Sequence, residues 1–246
     1  MRVFPLRVVI QTKVSLNPST FTLPRFVISL FSFVRVACLL VLIFITPAVL
    51  SSQNHDHVKF TLVKEEAPIF IYERWITFPG KVPAVKAREV KCEFQVNSSM
   101  YRILSLLKDE TNIKIWQKHV SDFKVHPLKD TTAWLEYSYH DIPWPVSDQD
   151  HFLRYDLTEK IPGQEIFITF QSVIDPKLAP KVDGVTRMEL AGSWRLEQLS
   201  PMQVKVTYRI LSMPGNIPRM FTDPVIRNNM MTTVKELTNL AEGKKN

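Results

Sequence analysis

Between residues 90 and 210 the chain repeats one pattern, short runs in which every second residue is apolar. Val90, Cys92, Phe94 and Val96 alternate with Glu89, Lys91, Glu93 and Gln95. Ala133, Leu135, Tyr137 and Tyr139 follow, then Leu153, Tyr155 and Leu157, then Ile166, Ile168 and Phe170. Met188, Leu190, Trp194 and Leu196 make another run, and Met202, Val204, Val206, Tyr208 and Ile210 the last. An earlier run, Ile69, Ile71 and Trp75, is apolar on both faces because of Phe70 and Tyr72. A period of two places alternate side chains on opposite faces of a strand. About seven such strands, joined by turns such as Pro162-Gly163 and Asp183-Gly184, predict an antiparallel sheet with one dry face.

Helical spacing interrupts the pattern. Asn97-Ser98-Ser99 can cap a helix whose Met100, Ile103, Leu104 and Leu107 share a face, and a shorter helix holds Ile113 and Trp116. The longest helical stretch runs from about Pro218 to Glu242, with Ile226, Met230, Val234, Leu237 and Ala241 on one stripe and Gly243 as its stop. A long curved sheet needs an apolar cover for its inner face, and the C-terminal helix is the one element long enough. The expected class is α+β, a helix-grip fold in which the sheet wraps around that helix. Incomplete closure between the two predicts an internal apolar cavity.

Residues 1–51 read differently. Arg2, Arg7, Lys13, Arg25 and Arg35 are the only charged residues before Asp56, and Val36–Leu50 is an unbroken run of 15 residues without charge, apolar but for Thr46. A basic leader followed by such a run describes an export signal, with Val49 and Ser51 as small side chains before a cleavage at Ser52. Extending the run back to Phe26 gives 25 residues, and with Arg35 tolerated it is a membrane anchor. Either reading places residues 52–246 outside the cytoplasm as the working domain. The whole chain carries +7, but the leader holds five of its 31 basic residues and no acidic one. The remaining 26 basic against 24 acidic residues leave +2, too little to suggest a nucleic-acid partner. Without Cys38 only Cys92 remains, so the domain forms no internal disulfide.

One segment is specific. Tyr139-His-Asp-Ile-Pro-Trp-Pro-Val-Ser-Asp-Gln-Asp150 resembles the PWPVSDRD signature joining two central strands in START domains, the steroidogenic-acute-regulatory-related lipid-transfer family. Gln149 replaces the more usual Arg, and with that Arg goes any ion pair it makes. Gly192-Ser-Trp194, Gly215-Asn-Ile-Pro218, Ile69-x-Ile-Tyr72 and the Trp116 helix fit the same family in the same order, over about Val58 to Leu240. The resemblance implies a helix-grip fold with a hydrophobic tunnel for one lipid or other apolar ligand, and no catalysis. Pro143 and Pro145 independently force extended backbone at a corner, where Ser147, Asp148 and Asp150 can bond turn amides.

The candidate lining of the cavity is Phe94, Trp116, Tyr137, Tyr139, Tyr155, Phe170, Met188, Trp194, Tyr208, Phe221, Met230 and Val234. The methionines suit an adaptable wall, although plain core packing explains them equally. Buried Tyr hydroxyls and Trp indoles need partners, either a ligand head group or water. Cys92 reads as a small buried hydrophobe. Neither the scattered histidines (His119, His126, His140, His151) nor His55-x-His57 has a metal-binding spacing, and no cofactor is expected. Asn97-Ser-Ser99 is formally a glycosylation sequon, which capping explains as well. The expected function is an exported monomer that binds one lipid-like molecule and makes transient membrane contact. Two rivals remain: an enzyme of the same superfold (cyclase, aromatase or hydrolase) and a scaffold without ligand. The enzyme needs an inward-facing acid/base pair, whereas the alternation places Glu and Arg outward.

Overall fold

Residues 58–143, 146–213 and 219–244 are described by the computed structural model of the chain. Their order is β1 (Thr61–Glu66), β2 (Ile69–Thr77), β3 (Lys86–Val96), α1 (Met100–Leu107), α2 (Ile113–Trp116), β4 (Val120–Pro127), β5 (Ala133–His140), β6 (Gln149–Ile161), β7 (Glu165–Ser172), β8 (Thr186–Arg187), β9 (Leu190–Ser200), β10 (Gln203–Ser212) and α3 (Arg219–Ala241). The leader, Trp144-Pro145 and the Pro214–Pro218 segment lie outside the described residues, and with them the proline hinge and half of the signature.

The strands form one sheet in the order β1-β2-β3-β10-β9-β7-β6-β5-β4, with the short β8 on β6. Every pairing is antiparallel except β6 with β8. The sheet is larger than the seven runs predicted, because β1, β4 and β8 are too polar or too short to show a clear period of two. It is strongly curved, and α3 packs on β2, β3, α1 and α2. At 1.5 Å per residue its 23 residues span about 35 Å, enough to run the length of the strands. This is the helix-grip architecture.

Local chemistry sets the joints. Ser99 caps α1, its side chain accepting from the Arg102 amide at 3.2 Å. Ser98 Oγ donates to the Ala241 carbonyl at 3.0 Å, and Glu242 accepts from the Asn97 amide at 2.8 Å. The Asn97-Ser98-Ser99 turn thus fastens both the start of α1 and the end of α3. Gly243 adopts φ 70°, the left-handed conformation that ends a helix at low steric cost.

One main core lies between the inner face of the sheet and the helices. It joins Ile71, Val90, Cys92, Phe94, Val96, Ile168, Leu196 and Val206 to Met231, Val234, Leu237 and Ala241 of α3. The predicted parities hold for β3, β6, β7, β9 and β10 and fail for β5. There the cross-strand partners of Tyr155, Leu153 and His151 are Trp134, Glu136 and Ser138. The inner face therefore carries Trp134, Glu136, Ser138 and His140, and Leu135, Tyr137 and Tyr139 point to the other side. The stripe on α3 also shifts. Met231 rather than Met230 is buried, and Ile226 is exposed, because Asp223 and Arg227 occupy the sheet-facing positions of the first turns. They meet Glu73 and Arg88 of the inner face, Arg88 Nη1 lying 3.0 Å from Asp223 Oδ1 and Arg227 Nε 2.9 Å from Glu73 Oε1. Met202, expected to open a strand, is exposed in the β9–β10 turn.

Candidate functional site: a polar cluster beside an aromatic band

Aromatic rings cross the middle of the inner face in a continuous band. Trp134 stacks on Tyr155 (centroids 4.8 Å apart, 8° between planes), and Tyr155 meets Phe170 at 5.1 Å. Phe170 meets Tyr208 at 6.3 Å, and Tyr208 stacks on Trp194 at 3.8 Å. The band spans β5, β6, β7, β10 and β9. Gly192, the cross-strand partner of Phe170, makes it possible. A Cβ at Gly192 would collide with the Arg209 carbonyl oxygen and the Phe170 ring. The Gly-x-Trp motif is thus a packing device, in which the glycine seats one ring of the band and Trp194 supplies another.

Polar side chains interrupt the apolar lining beside this band. Tyr155 Oη donates to Glu136 Oε1 at 3.2 Å, and His151 Nε2 lies 3.3 Å from the same oxygen. Ser138 Oγ lies 3.1 Å from His140 Nε2, and the His140 and His151 rings are 5.3 Å apart. Glu136 and His151 are both buried, at 3% and 6% exposure. Burial pushes the Glu136 carboxyl up to about 8, against the opposing hydrogen bond from Tyr155. Burial likewise pulls His151 down to about 4 and His140 down to about 3. At neutral pH the Glu136–His151 contact is therefore a hydrogen bond between uncharged groups rather than an ion pair. Among the described residues, the buried nitrogens Trp134 Nε1 and His151 Nδ1 of the same face have no hydrogen-bond partner. Buried polar atoms are satisfied in the great majority of native sites, so water or the polar group of a guest would complete these two.

The sequence-predicted lining divides in three. Phe94, Trp116, Tyr155, Phe170, Trp194 and Val234 are buried in the main core, with Met188, Tyr208 and Met230 packed half-buried against it. Tyr137 and Tyr139 lie on the opposite face, where their hydroxyls donate to Asp150 at 3.3 Å and Asp148 at 2.8 Å. Phe221 is 62% exposed on the first turn of α3. The error at β5 has a physical cause. Both faces of that strand are covered, and its outward residues are the more hydrophobic set, so the alternation selects the wrong side. Glu136, His140 and Trp134 were missed for the same reason, and His151 because it is a polar residue on the inner face of β6. The cross-strand match of β5 with β6 could have revealed them. The expectation that carboxylates face outward fails at Glu136 and at Glu73. Among the described residues, no group of three or more His, Cys, Asp or Glu side chains is placed to hold a metal ion. Cys92 is buried, and burial pushes its thiol up to about 12.

The signature loop is architectural. Asp148 Oδ1 accepts from the Ile142 amide at 3.0 Å while Oδ2 takes the Tyr139 hydroxyl. Asp150 is held by Arg187 of β8 through Nε–Oδ1 at 2.7 Å and Nη2–Oδ2 at 2.8 Å. An arginine far along the chain thus serves Asp150, next to the unusual Gln149.

Comparison with known proteins agrees with this architecture. No family model matches the chain. An uncharacterized protein of Pseudomonas aeruginosa is 25% identical over 183 residues, 74% of this chain and 86% of its own length. Among solved structures, a STAR-related lipid transfer protein fragment from Xanthomonas axonopodis superposes with a TM-score of 0.61 at 23% identity, covering 74% of this chain and 98% of that one. Human StAR-related lipid transfer protein 5 gives 0.63 at 15% identity, covering 87% and 96%. The chain has the fold of the StAR-related lipid transfer (START) domains.

Proposed function

We propose that the domain binds one lipid or other apolar molecule between the inner face of the sheet and α3, outside the cytoplasm, and transfers it without chemical change. The observation that carries this reading is the uncharged polar cluster in an apolar surround. Glu136, Tyr155 and His151 form a fixed hydrogen-bonding unit, and the Trp134 and His151 nitrogens that lack a partner among the described residues lie on the same face. A neutral head group with a hydroxyl or carbonyl suits such a unit, because an ionised head would bring an unpaired charge into a low-dielectric site. The aromatic band would pack the apolar body. Desolvation of that body contributes about 25 cal/mol per Å2 of buried apolar surface before ordering costs. The START-domain fold, which the two lipid transfer proteins share, supports the same reading.

Native mass spectrometry of the purified chain tests it. A retained apolar molecule, lost in Glu136→Leu, is expected; a chain that comes through empty from every lipid extract offered to it refutes the reading.

The Glu136–His151 pair favours one rival, an enzyme that moves a proton at this cluster. Its buried acid is poised near neutral pH, as general acids are, whereas a histidine near 4 is a weak base. Glu136→Gln separates the two readings: the amide keeps a hydrogen-bonding head site but cannot give up a proton. Retained binding supports the carrier; conversion of bound substrate by the parent chain, abolished in Glu136→Gln, supports the enzyme.

A further inference from the structure

The inner positions of β5 succeed one another at Glu136, Ser138 and His140, about 7 Å apart along the strand. Ser138 lies opposite His151 of β6. β5 ends at His140, and Asp141 after it is exposed. Groups able to hold or pass a proton therefore run in a row from the buried middle of the sheet to its surface. Tyr155 and His151 both meet Glu136 Oε1, and Ser138 Oγ lies 3.1 Å from His140 Nε2. The His151 and His140 rings are 5.3 Å apart, a gap that an edge-to-edge hydrogen bond or one water closes. Glu136, His151 and Ser138 are buried, His140 is half-buried, and His119, which precedes its partner on β4, is exposed. His119 takes φ 65°, a left-handed conformation that costs a non-glycine residue. Its carbonyl accepts from the Asp141 amide at 2.8 Å, which fixes the corner where the row meets solvent.

Glu136 has no cationic partner among the described residues. Asp223 and Arg227 of α3 are paired with Arg88 and Glu73, and Lys108 at the end of α1 lies 3.9 Å over the Trp134 ring. Tyr208 of β10 is the second hydroxyl that feels the Glu136 charge. Asp150 and Arg187, which act on His151, hold each other, and His140 also feels His119, Asp150 and Asp141. With no cation to hold its charge, the Glu136 carboxyl keeps its proton at neutral pH. His151 and His140 stay uncharged there. A neutral imidazole has one N–H and one bare nitrogen, so it takes a proton on one side and releases it from the other. His151 has Nε2 on Glu136 and leaves Nδ1 for the next step, which is the buried nitrogen without a partner. A packing role for Glu136 needs its bond to Tyr155 but no line of groups to the surface.

We propose that Glu136, His151, Ser138 and His140 form a proton path between the buried head site and solvent, and that ligand binding is linked to the proton on Glu136. The domain holds a neutral head group while that proton is in place and loses affinity for it when the proton leaves along the row. The linkage half rests on the carrier reading above; the path half does not. The path is tested on the full chain without added ligand, by time-resolved infrared spectroscopy after a light-triggered jump from pH 9 to pH 7. A protonated-carboxyl band that is absent from Glu136→Gln follows the proton. His140→Gln, which keeps a bond to Ser138 but passes no proton, should slow the rise of that band at least about tenfold. His140→Ala should be slow as well, and added imidazole should restore its rate. No band assignable to Glu136, or an unchanged rate in both His140 variants, overturns the path. Slowing that imidazole leaves in place gives His140 a packing role and overturns it too. Linkage is read separately with laurdan, a neutral long-chain ketone without a titratable group between pH 6 and 9. Its dissociation constant for the parent chain should rise about tenfold per pH unit once Glu136 ionises, and in Glu136→Gln that pH dependence should vanish, whatever affinity remains. The same pH dependence in both chains, or none in the parent, overturns the linkage. No laurdan binding at any pH refutes the carrier reading and leaves the path standing.

Discussion

Arg187 and Asp150 face each other fork to fork across the one parallel pairing among the described strands. The carboxylate is 1% exposed, and its other side-chain hydrogen bond comes from Tyr137. Arg187 also donates to the Ala179 and Pro180 carbonyls at 3.3 and 3.1 Å, so one guanidinium ties the β7–β8 loop to the start of β6. Removing it leaves a buried carboxylate with a single neutral donor. Arg187→Met should cost about 3–5 kcal/mol, measured by urea unfolding, and Asp150→Asn less, because the side chain left behind still reaches solvent.

Gly192 predicts a second loss. Gly192→Ala should destabilise the domain by about 3 kcal/mol and disturb the ring packing of Phe170. Adding Phe170→Leu should restore only part of the loss, since the Arg209 carbonyl remains in the way. Unfolding curves for the single and double variants provide the measurement, and full recovery would show that the ring alone makes the site tight.

Buried titration sets a pH optimum. Glu136 binds its proton more tightly folded (about 8) than unfolded (4.5), so its contribution is greatest below 4.5 and is lost as pH rises toward 8. His151 and His140 shift the other way, from 6.5 to about 4 and about 3, and penalise the folded state as pH falls below 6.5. The groups oppose each other under pH 6.5, where two histidines outweigh one carboxyl. Above it only the carboxyl acts. Stability should therefore peak near pH 6.5 and decline toward 8, and Glu136→Gln should flatten the alkaline limb. Thermal unfolding across pH 5–9 reads both effects.

The charged half of α3 should open before the apolar half. Asp223 and Arg227 link the first turns to Glu73 and Arg88, and Pro224 removes one backbone hydrogen bond there. From Met231 onward the helix is held by apolar burial. Arg227→Gln should raise amide exchange over residues 219–228 roughly five- to tenfold and leave 234–241 unchanged. A uniform rise along the helix would show that it opens as one piece.

Strands whose inner residues are the apolar set were legible in the sequence: β3, β7 and β10 read correctly down to the face. The helix-grip class followed from them and from one long terminal helix. What the alternation could not reveal is where the inner face is polar. On β5 the inward positions include Glu136, Ser138 and His140, on β2 Glu73, and on α3 Asp223 and Arg227. These are the groups from which the candidate site and the helix contact are built. Hydropathy inverts at such places because the polar groups there bond one another in part, as Glu136 does with Tyr155 and Glu73 with Arg227, instead of facing water. The Pro-Trp-Pro-Val-Ser-Asp stretch carried the resemblance, yet its described carboxylate serves the loop and not the candidate site.

The order of the sheet also bears on when the site comes into being. β3 and β10 are neighbours, and their partners Val96 with Val204 and Arg88 with Ser212 are 108 and 124 residues apart along the chain. Closing a loop of that length is slow compared with zipping hairpins, so β1–β3 and β4–β9 can pair locally while their shared seam is still missing. β10 supplies that seam and α3 the cover. On the carrier reading a ligand would find no enclosure before residue 203 is in place, and loading would belong to the last step of folding or to the finished protein.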